Sequence, residues 1–398
     1  MILEPALAMH VHSWHNAADL SVTSLGGTAT VHTKDTLNHM ANELDRQREL
    51  SAPSLRARRT TGQSPKRPPA FLKDEVKRAI ELRGNCRIPQ LFQPVPLFFR
   101  NESLYEFFET WPCDLIPVGN STDASLDLRR VSKLISDGVT VLHGSSAVKH
   151  VLRDWSQVDA VYDLLLAQPT SEWKEAIQSQ IAQTPDLYHV AMHIGLLFEP
   201  IYLLRGMEQF FLDLYDHRTE VDRLLDRLLE FNIKAARAYA DAGVDGIFTS
   251  DDWGTQRSLM IDPVLWRAMF KPRYAAFVDA AHKAGVHVIF HSDGNLDSIF
   301  PDLVETGIDV ANPLQPGALD VDRWVKEYRA KVAFWTGVDV QGMLPFVSPQ
   351  KVKDEVRRSI DKFRHDKGGL IIGPTNAITA EVPYENLVAL HETLLEYR

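Results

Sequence analysis

Sulfur is scarce in this chain. Cys86 and Cys113 are its two cysteines, too few for a disulfide framework or a Cys-rich zinc module, and such scarcity suits a reducing, intracellular setting. No apolar run approaches the roughly 20 residues that span a bilayer. The first 33 residues hold no Lys or Arg. The basic start of a secretory signal and the Arg-rich face of a mitochondrial presequence are therefore both missing, and the expected location is the cytoplasm. Positive charge is also in deficit overall. The formal net charge is -10, and residues 1–70, with eight Lys/Arg against six Asp/Glu (+2), leave -12 for the remainder. An acidic body disfavours nucleic acid as a partner, because phosphate binding needs a basic stripe. No GxGxxG or P-loop follows the first expected strand, which argues against dinucleotide or ATP chemistry.

What is present is ample apolar material, 44% of 398 residues, enough for one large α/β domain with an extension. Residues 1–70 read as a flexible N-terminal extension and linker. Its last part, SAPSLRARRTTGQSPKRPPA, combines Pro, Ser and five basic residues with almost nothing to bury. The histidines of MHVHSWHN lie in this tail and read as incidental, since a metal site needs an oriented supporting shell.

From Phe71 onward strand and helix alternate eight times. The expected strands are RIPQLFQ (87–93), DLIPVG (114–119), LYHVAMHIG (187–195), DGIFTS (245–250), HVIFHS (287–292), DVANPL (309–314), KVAFWTG (331–337) and GLIIGPTN (369–376). Between the second and third, residues 128–153 alternate around Asp137-Gly138 and predict a small antiparallel hairpin insertion. The clearest helix covers 217–242, with Val221, Leu224, Leu225, Leu228 and Phe231 at helical spacing and Gly243 at its end. Eight βα units with short loops predict an α/β fold, a (β/α)8 TIM barrel over residues 71–398.

In such a barrel the last residues of each strand converge on one mouth. Here they are Gln93; His193 and Glu199; Asp251, Asp252 and Trp253; His291, Asp293 and Asn295; Asn312 and Gln315; Asp339 and Gln341; Thr375 and Asn376. His291 and Asp293, two apart, suit a divalent metal, with Asp251, Asp252 or Glu199 completing its shell. The carboxylates could instead exchange protons in a partly dry pocket, or His291 and Asp293 could cap strand and helix. Of the adjacent Asp251 and Asp252, one should face the mouth as a catalytic or substrate-binding group while the other holds backbone. Trp253 offers a flat wall for a ring-shaped ligand or else packs in the core. His193, Gln315, Gln341 and Asn376 are candidate substrate contacts, and Asn295 reads as a cap.

Several spaced blocks resemble a known family. They are FEPIYLLRGMEQFFLDL, FTSDDWGTQRSLMIDPVLWRAMFKPRYAAFVDAAHKAGVHVIFHSDGN, DLVETGIDVANPLQP, FWTGVDVQGMLPFVSPQKVKDEVRRSI and VPYENLVALHETL. In order, they resemble the uroporphyrinogen decarboxylase superfamily, most of all the branch that includes corrinoid-dependent methyltransferases. The likeness implies a (β/α)8 barrel with its site at the mouth. Where decarboxylases of this superfamily carry an Arg-rich RQAGR motif, this chain has LFQPVPLFFR with Arg100 alone, and GPTNA stands in place of GHG. Where its zinc methyltransferases bind metal through His-x-Cys and a later Cys, this chain keeps His291 but has Asp293, and no Cys near Pro374–Asn376.

The resemblance therefore implies a harder ligand set of His291, Asp293 and Glu199 for Zn2+. It implies methyl transfer from a small O- or N-methylated compound to a corrinoid supplied by a partner protein, with Asp251, Asp252 or Asp293 in the acid chemistry. A decarboxylase, with an Asp as proton donor and no cofactor, and a non-catalytic ligand-binding barrel are the alternatives it leaves open.

Overall fold

The computed structural model describes residues 70–84, 87–91, 111, 113–119, 152, 154–158, 170–193, 195–315, 317–340, 342–375, 378 and 382–397. Save for Ala70 and Leu152, the expected extension and hairpin lie outside these residues, as do Gln93, Arg100, Gln341 and Asn376.

Seven strands form one parallel sheet in sequence order: β1 Leu115–Val118, β2 Tyr188–Met192, β3 Gly246–Ser250, β4 His287–His291, β5 Val310–Asn312, β6 Ala333–Val338 and β7 Leu370–Pro374. Each is a short, nearly continuous apolar run, as parallel strands covered on both faces require. Of the expected first strand, 87–93, the described residues 87–91 make bridging contacts at Gln90 and Leu91. Gln90 bridges Ile372 on β7, Leu91 bridges Cys113, and the Asp114 amide donates to the Gln90 carbonyl at 2.8 Å. This segment thus joins β7 back to the chain entering β1 and takes the eighth place in the ring.

Helices pack outside the sheet. α1 is Lys73–Ile80, α2 Ser171–Ile181, α3 Phe198–Arg205, α4 Met207–Asp216 and α5 Arg218–Ala242. After β3 come α6 Pro263–Met269 and α7 Lys271–Lys283, and then α8 Phe300–Glu305, α9 Val321–Tyr328, α10 Pro349–Phe363 and α11 Tyr384–Leu395. α5 buries the leucine face read from the sequence and ends at Gly243, whose φ of 96° only glycine adopts without strain. The helical stretch between β3 and β4 is broken after Phe270, where Pro272, lacking an N–H, sits in the first turn of a new helix. No described helix is long and apolar enough to cross a membrane.

Two apolar cores result. The outer one lies between sheet and helices, and the inner one fills the barrel with Leu115, Val190, Phe248, Ile289, Val310 and Ile371. α1 is unusual in belonging to the inner one. Its Val76 and Ile80, with Phe71 before it, close the lower end of the barrel. Lys73 and Lys77 fasten it there through Asp245, at 3.0 and 3.1 Å.

Candidate active site

Register builds the floor of the mouth. Ser250 pairs with His291 across β3 and β4, and His291 with Asn312 across β4 and β5. The Asn312 Nδ2 donates to the Trp335 carbonyl on β6 at 2.9 Å. Four neighbouring strands thus contribute Ser250, His291, Asn312 and Trp335 to one tier. Above it the loops after β3 and β4 are locked together. The Gly254 amide donates to the Asp293 carbonyl (3.2 Å), the Asn295 amide to the Thr255 carbonyl (2.7 Å) and the Asp293 amide to Asp252 Oδ1 (2.9 Å). Gly254 and Gly294 face each other so closely that a Cβ on either would strike the other loop's backbone.

Those loops bring together Asp252, His291 and Asp293, whose donor atoms all lie within 4.8 Å of one another. His291 Nε2 is 3.7 Å from Asp252 Oδ1 and 3.8 Å from Asp293 Oδ2. The other ring nitrogen, Nδ1, is 2.7 Å from Asn312 Oδ1. Because the Asn312 amide nitrogen is committed to the Trp335 carbonyl, its oxygen faces the ring, so Nδ1 carries a proton and donates it. Nε2 is left to face the two carboxylates. Burial disfavours charge on this ring, yet Asp293, Asp252 and Asn312 outweigh it and push His291 up to about 10 in the absence of metal. One imidazole and two carboxylates around a common point, with the imidazole oriented by a supporting hydrogen bond, fit a divalent cation such as Zn2+.

Asp251 turns the other way. Its Oδ2 accepts from the Leu197 amide (2.8 Å) and the Tyr274 hydroxyl (2.6 Å), and its Oδ1 from the amides of Phe198 and Glu199 (both 2.9 Å). It caps the start of α3. Burial pushes its carboxyl up to about 7 even against these donated bonds, and both its oxygens are occupied in accepting them. The expected catalytic role for Asp251 therefore gives way to a positioning one. What it positions is Glu199, in the first turn of α3, whose Oε2 accepts from the Ser250 hydroxyl at 2.9 Å. Burial, then the charges of Asp252 and Asp251, push the Glu199 carboxyl well above its ordinary range. Glu199 is outside the three-residue cluster, and Asp252 takes the third place expected for it.

Trp253 is fully buried and packs in the core, the second of its two readings. Its ring stacks on Phe198 at 4.1 Å and meets Phe270 edge-on at 4.5 Å, and its Nε1 donates to the Tyr274 hydroxyl at 2.8 Å. Tyr274 thereby links Trp253 to Asp251. His193 is likewise a core residue, 2.7 Å from Asn232 Oδ1 and packed against Tyr239, and burial lowers its pKa, leaving the ring neutral. Gln315 accepts from the Gly294 amide at 3.2 Å and so braces the loop carrying Asp293. Asn295 caps locally, accepting from the Asp297 amide at 3.1 Å. Gln341 and Asn376 are outside the described residues.

Sequence reasoning missed Ser250 and Tyr274, and gave Asn312 no role. Parity could have found Ser250: it shares the inward face of β3 with Phe248, two residues before it. Tyr274 sits on a helix and carried no such signal.

Comparison with known proteins places these features in context. The family model for uroporphyrinogen decarboxylase (URO-D) matches residues 143–397. No curated protein matches the chain. Among solved structures, a methyltransferase from Methanosarcina mazei aligns with a TM-score of 0.60 at 16% identity, covering 83% of this chain and 99% of its own. Far looser are 3-keto-D-glucoside 4-epimerase from E. coli (TM-score 0.34, 13% identity, 56% of this chain and 84% of the other) and a β-L-arabinopyranosidase from Geobacillus stearothermophilus (0.37, 10%, 83% and 74%).

Proposed function

The chain belongs to the uroporphyrinogen decarboxylase (URO-D) family, and from that membership we propose that it is a metal-dependent methyltransferase. It would move a methyl group from a small O- or N-methylated compound to a corrinoid held by a partner protein. The observation that carries this reading is the Asp252, His291, Asp293 cluster with His291 Nε2 turned toward both carboxylates. The likeness in fold to the Methanosarcina mazei methyltransferase agrees with it.

Asp252, His291 and Asp293 would hold the cation, Zn2+ first. When bound, it supplies Lewis acidity that polarises the oxygen or nitrogen bearing the methyl group. The remaining work falls to the chain's own side chains. Asn312 fixes the His291 ring, and the Gly254–Gly294 contact fixes the separation of the two loops. Glu199, kept protonated by burial and by its acidic neighbours, is the group poised to give a proton to the leaving oxygen or nitrogen. Asp251 keeps Glu199 in place by capping α3.

The decarboxylase alternative finds less support. A substrate with many carboxylates needs several cations, and the described buried residues include a single Lys or Arg, Arg205, which is engaged by Asp213 at 2.5 Å.

The test is metal analysis of the purified full-length protein, followed by methyl transfer to a supplied corrinoid protein. The expected result is about one Zn2+ per chain, lost in His291→Ala together with transfer. A protein that stays metal-free in excess Zn2+ while releasing CO2 from a carboxylic acid would instead make it a decarboxylase.

A further inference from the structure

An apolar side chain inside a barrel whose lower end is filled should be sealed from water unless it faces the mouth. Ile116, Met192 and Trp335 pack on the inner core yet stay partly exposed. Of these, Met192 ends β2 and Trp335 stands on the tier of His291 and Asn312, so both lie at the end of the barrel away from α1.

Trp335 is placed with care. Its carbonyl receives the Asn312 amide, so it stands on the same tier as His291. Its indole meets the Phe248 ring edge-on at 5.5 Å, and Phe248 in turn lies 5.6 Å from the His291 ring. On the adjacent strand Gly373 leaves the room the indole uses, since a Cβ there would strike Trp335 Nε1. A ring beside a glycine can be ordinary tier packing, and Tyr188 beside Gly246 lower in the barrel is that case, being fully buried. Trp335 has the same pairing with an open face.

Beside the polar group of Asp252, Asp293, Glu199 and His291 stand Trp335, Phe248 and Met192, with Phe248 between the Trp335 and His291 rings. A site with a few convergent polar groups and a broad apolar wall selects a ligand whose reactive group sits at one edge of an apolar body. A flat ring gains most from indole and phenyl surfaces in this arrangement.

We infer that Trp335, with Phe248 and Met192, forms the apolar wall of the substrate chamber, and that the group offered to Asp252, His291 and Asp293 is carried on a flat aromatic ring, as in an aromatic methyl ether. The methyl part of this inference rests on the proposed methyl transfer; the ring part does not.

The experiment is calorimetric titration of Zn2+-supplemented full-length protein with 2-methoxyphenol, phenol and methanol, for the wild type, Trp335→Leu, Trp335→Phe and Phe248→Leu. Saturable binding of both ring compounds is expected. It should weaken at least tenfold in Trp335→Leu and stay within about threefold in Trp335→Phe, with metal content unchanged. Absence of ring binding in the wild type, or unaltered binding in Trp335→Leu, overturns the inference.

Should Trp335→Leu not fold, Phe248→Leu takes its place. The wild-type indole N–H resonance of Trp335, assigned by its loss in Trp335→Phe, must then move on adding phenol; an unmoved signal overturns the inference. The two readings separate cleanly. Ring compounds that bind through Trp335 but lose no methyl group sustain the chamber and sink methyl transfer. Methyl transfer from methanol with no ring binding sinks the chamber and leaves methyl transfer standing.

Discussion

Asn312 Oδ1 lies 2.7 Å from His291 Nδ1, and the Asn312 amide nitrogen is committed to the Trp335 carbonyl, so Asn312 decides which nitrogen of the ring faces Asp252 and Asp293. Asn312→Ala leaves the ring free to rotate and change tautomer. Zn2+ affinity, measured by chelator competition, should fall about 10- to 100-fold, as it does when such supporting contacts are lost. Asn312→Asp, which still accepts from Nδ1, should recover most of it. Equal affinities in all three proteins would remove Asn312 from the site.

Metal uptake should release a proton. Without metal, burial works against the His291 charge but Asp293 and Asp252 prevail, raising the ring from 6.5 to about 10. Nε2 is therefore protonated at neutral pH, and a cation has to displace that proton. Affinity should climb about tenfold per pH unit below that value. The metal-free protein should behave in the opposite sense. Stability from the charged ring is complete below 6.5 and is lost as pH rises through about 10. Calorimetry in two buffers of different protonation heat counts the released proton.

Asp251→Ala should damage the fold more than the metal centre. It strips partners from three amides at the head of α3 and from Tyr274, at a cost of about 3 kcal/mol. Denaturant titration should show that loss while the folded protein still binds Zn2+ and transfers methyl groups slowly. Loss of metal with stability unchanged would return Asp251 to the site.

Acid should loosen α1 first. Burial disfavours the Asp245 anion, but hydrogen bonds from His189, Lys73 and Lys77 prevail and lower it from 3.8 to about 2. The stabilisation is present above 3.8 and disappears as pH falls through about 2. Discounted for solvent at the two lysines, it amounts to about 1–2 kcal/mol. Asp245→Asn should flatten the acid limb of the stability profile and speed amide exchange in Lys73–Ile80 at pH 7. Exchange as slow as in the wild type would show that the apolar contacts of α1 suffice.

The barrel was legible because its strands are short apolar runs that end in polar clusters, and because α5 repeats its leucines so regularly. The His291–Asp293 pair was legible for the same reason, since strand ends announce themselves. What could not be read was direction at Asp251-Asp252-Trp253. Ser250 faces inward with His291, and the residue after it turns out toward α3 and Tyr274, which are distant in sequence. Trp253 follows Asp251 outward because Phe198 and Phe270, each on another element, form its socket. The aromatic group that does open toward the mouth, Trp335, looked like one more apolar residue of a buried strand. Its exposure depends on Gly373 and on the seating of α1, and neither is visible locally.

The seating of α1 also bears on how molecules reach the chamber. With one end of the barrel stopped by Phe71, Val76 and Ile80, the opening left among the described residues is at the other end. Under the proposed methyl transfer, a methyl donor and a bulky methyl acceptor would have to share that entrance, so the small compound would be aboard before the acceptor docks, and excess acceptor should slow the loading of its own co-substrate.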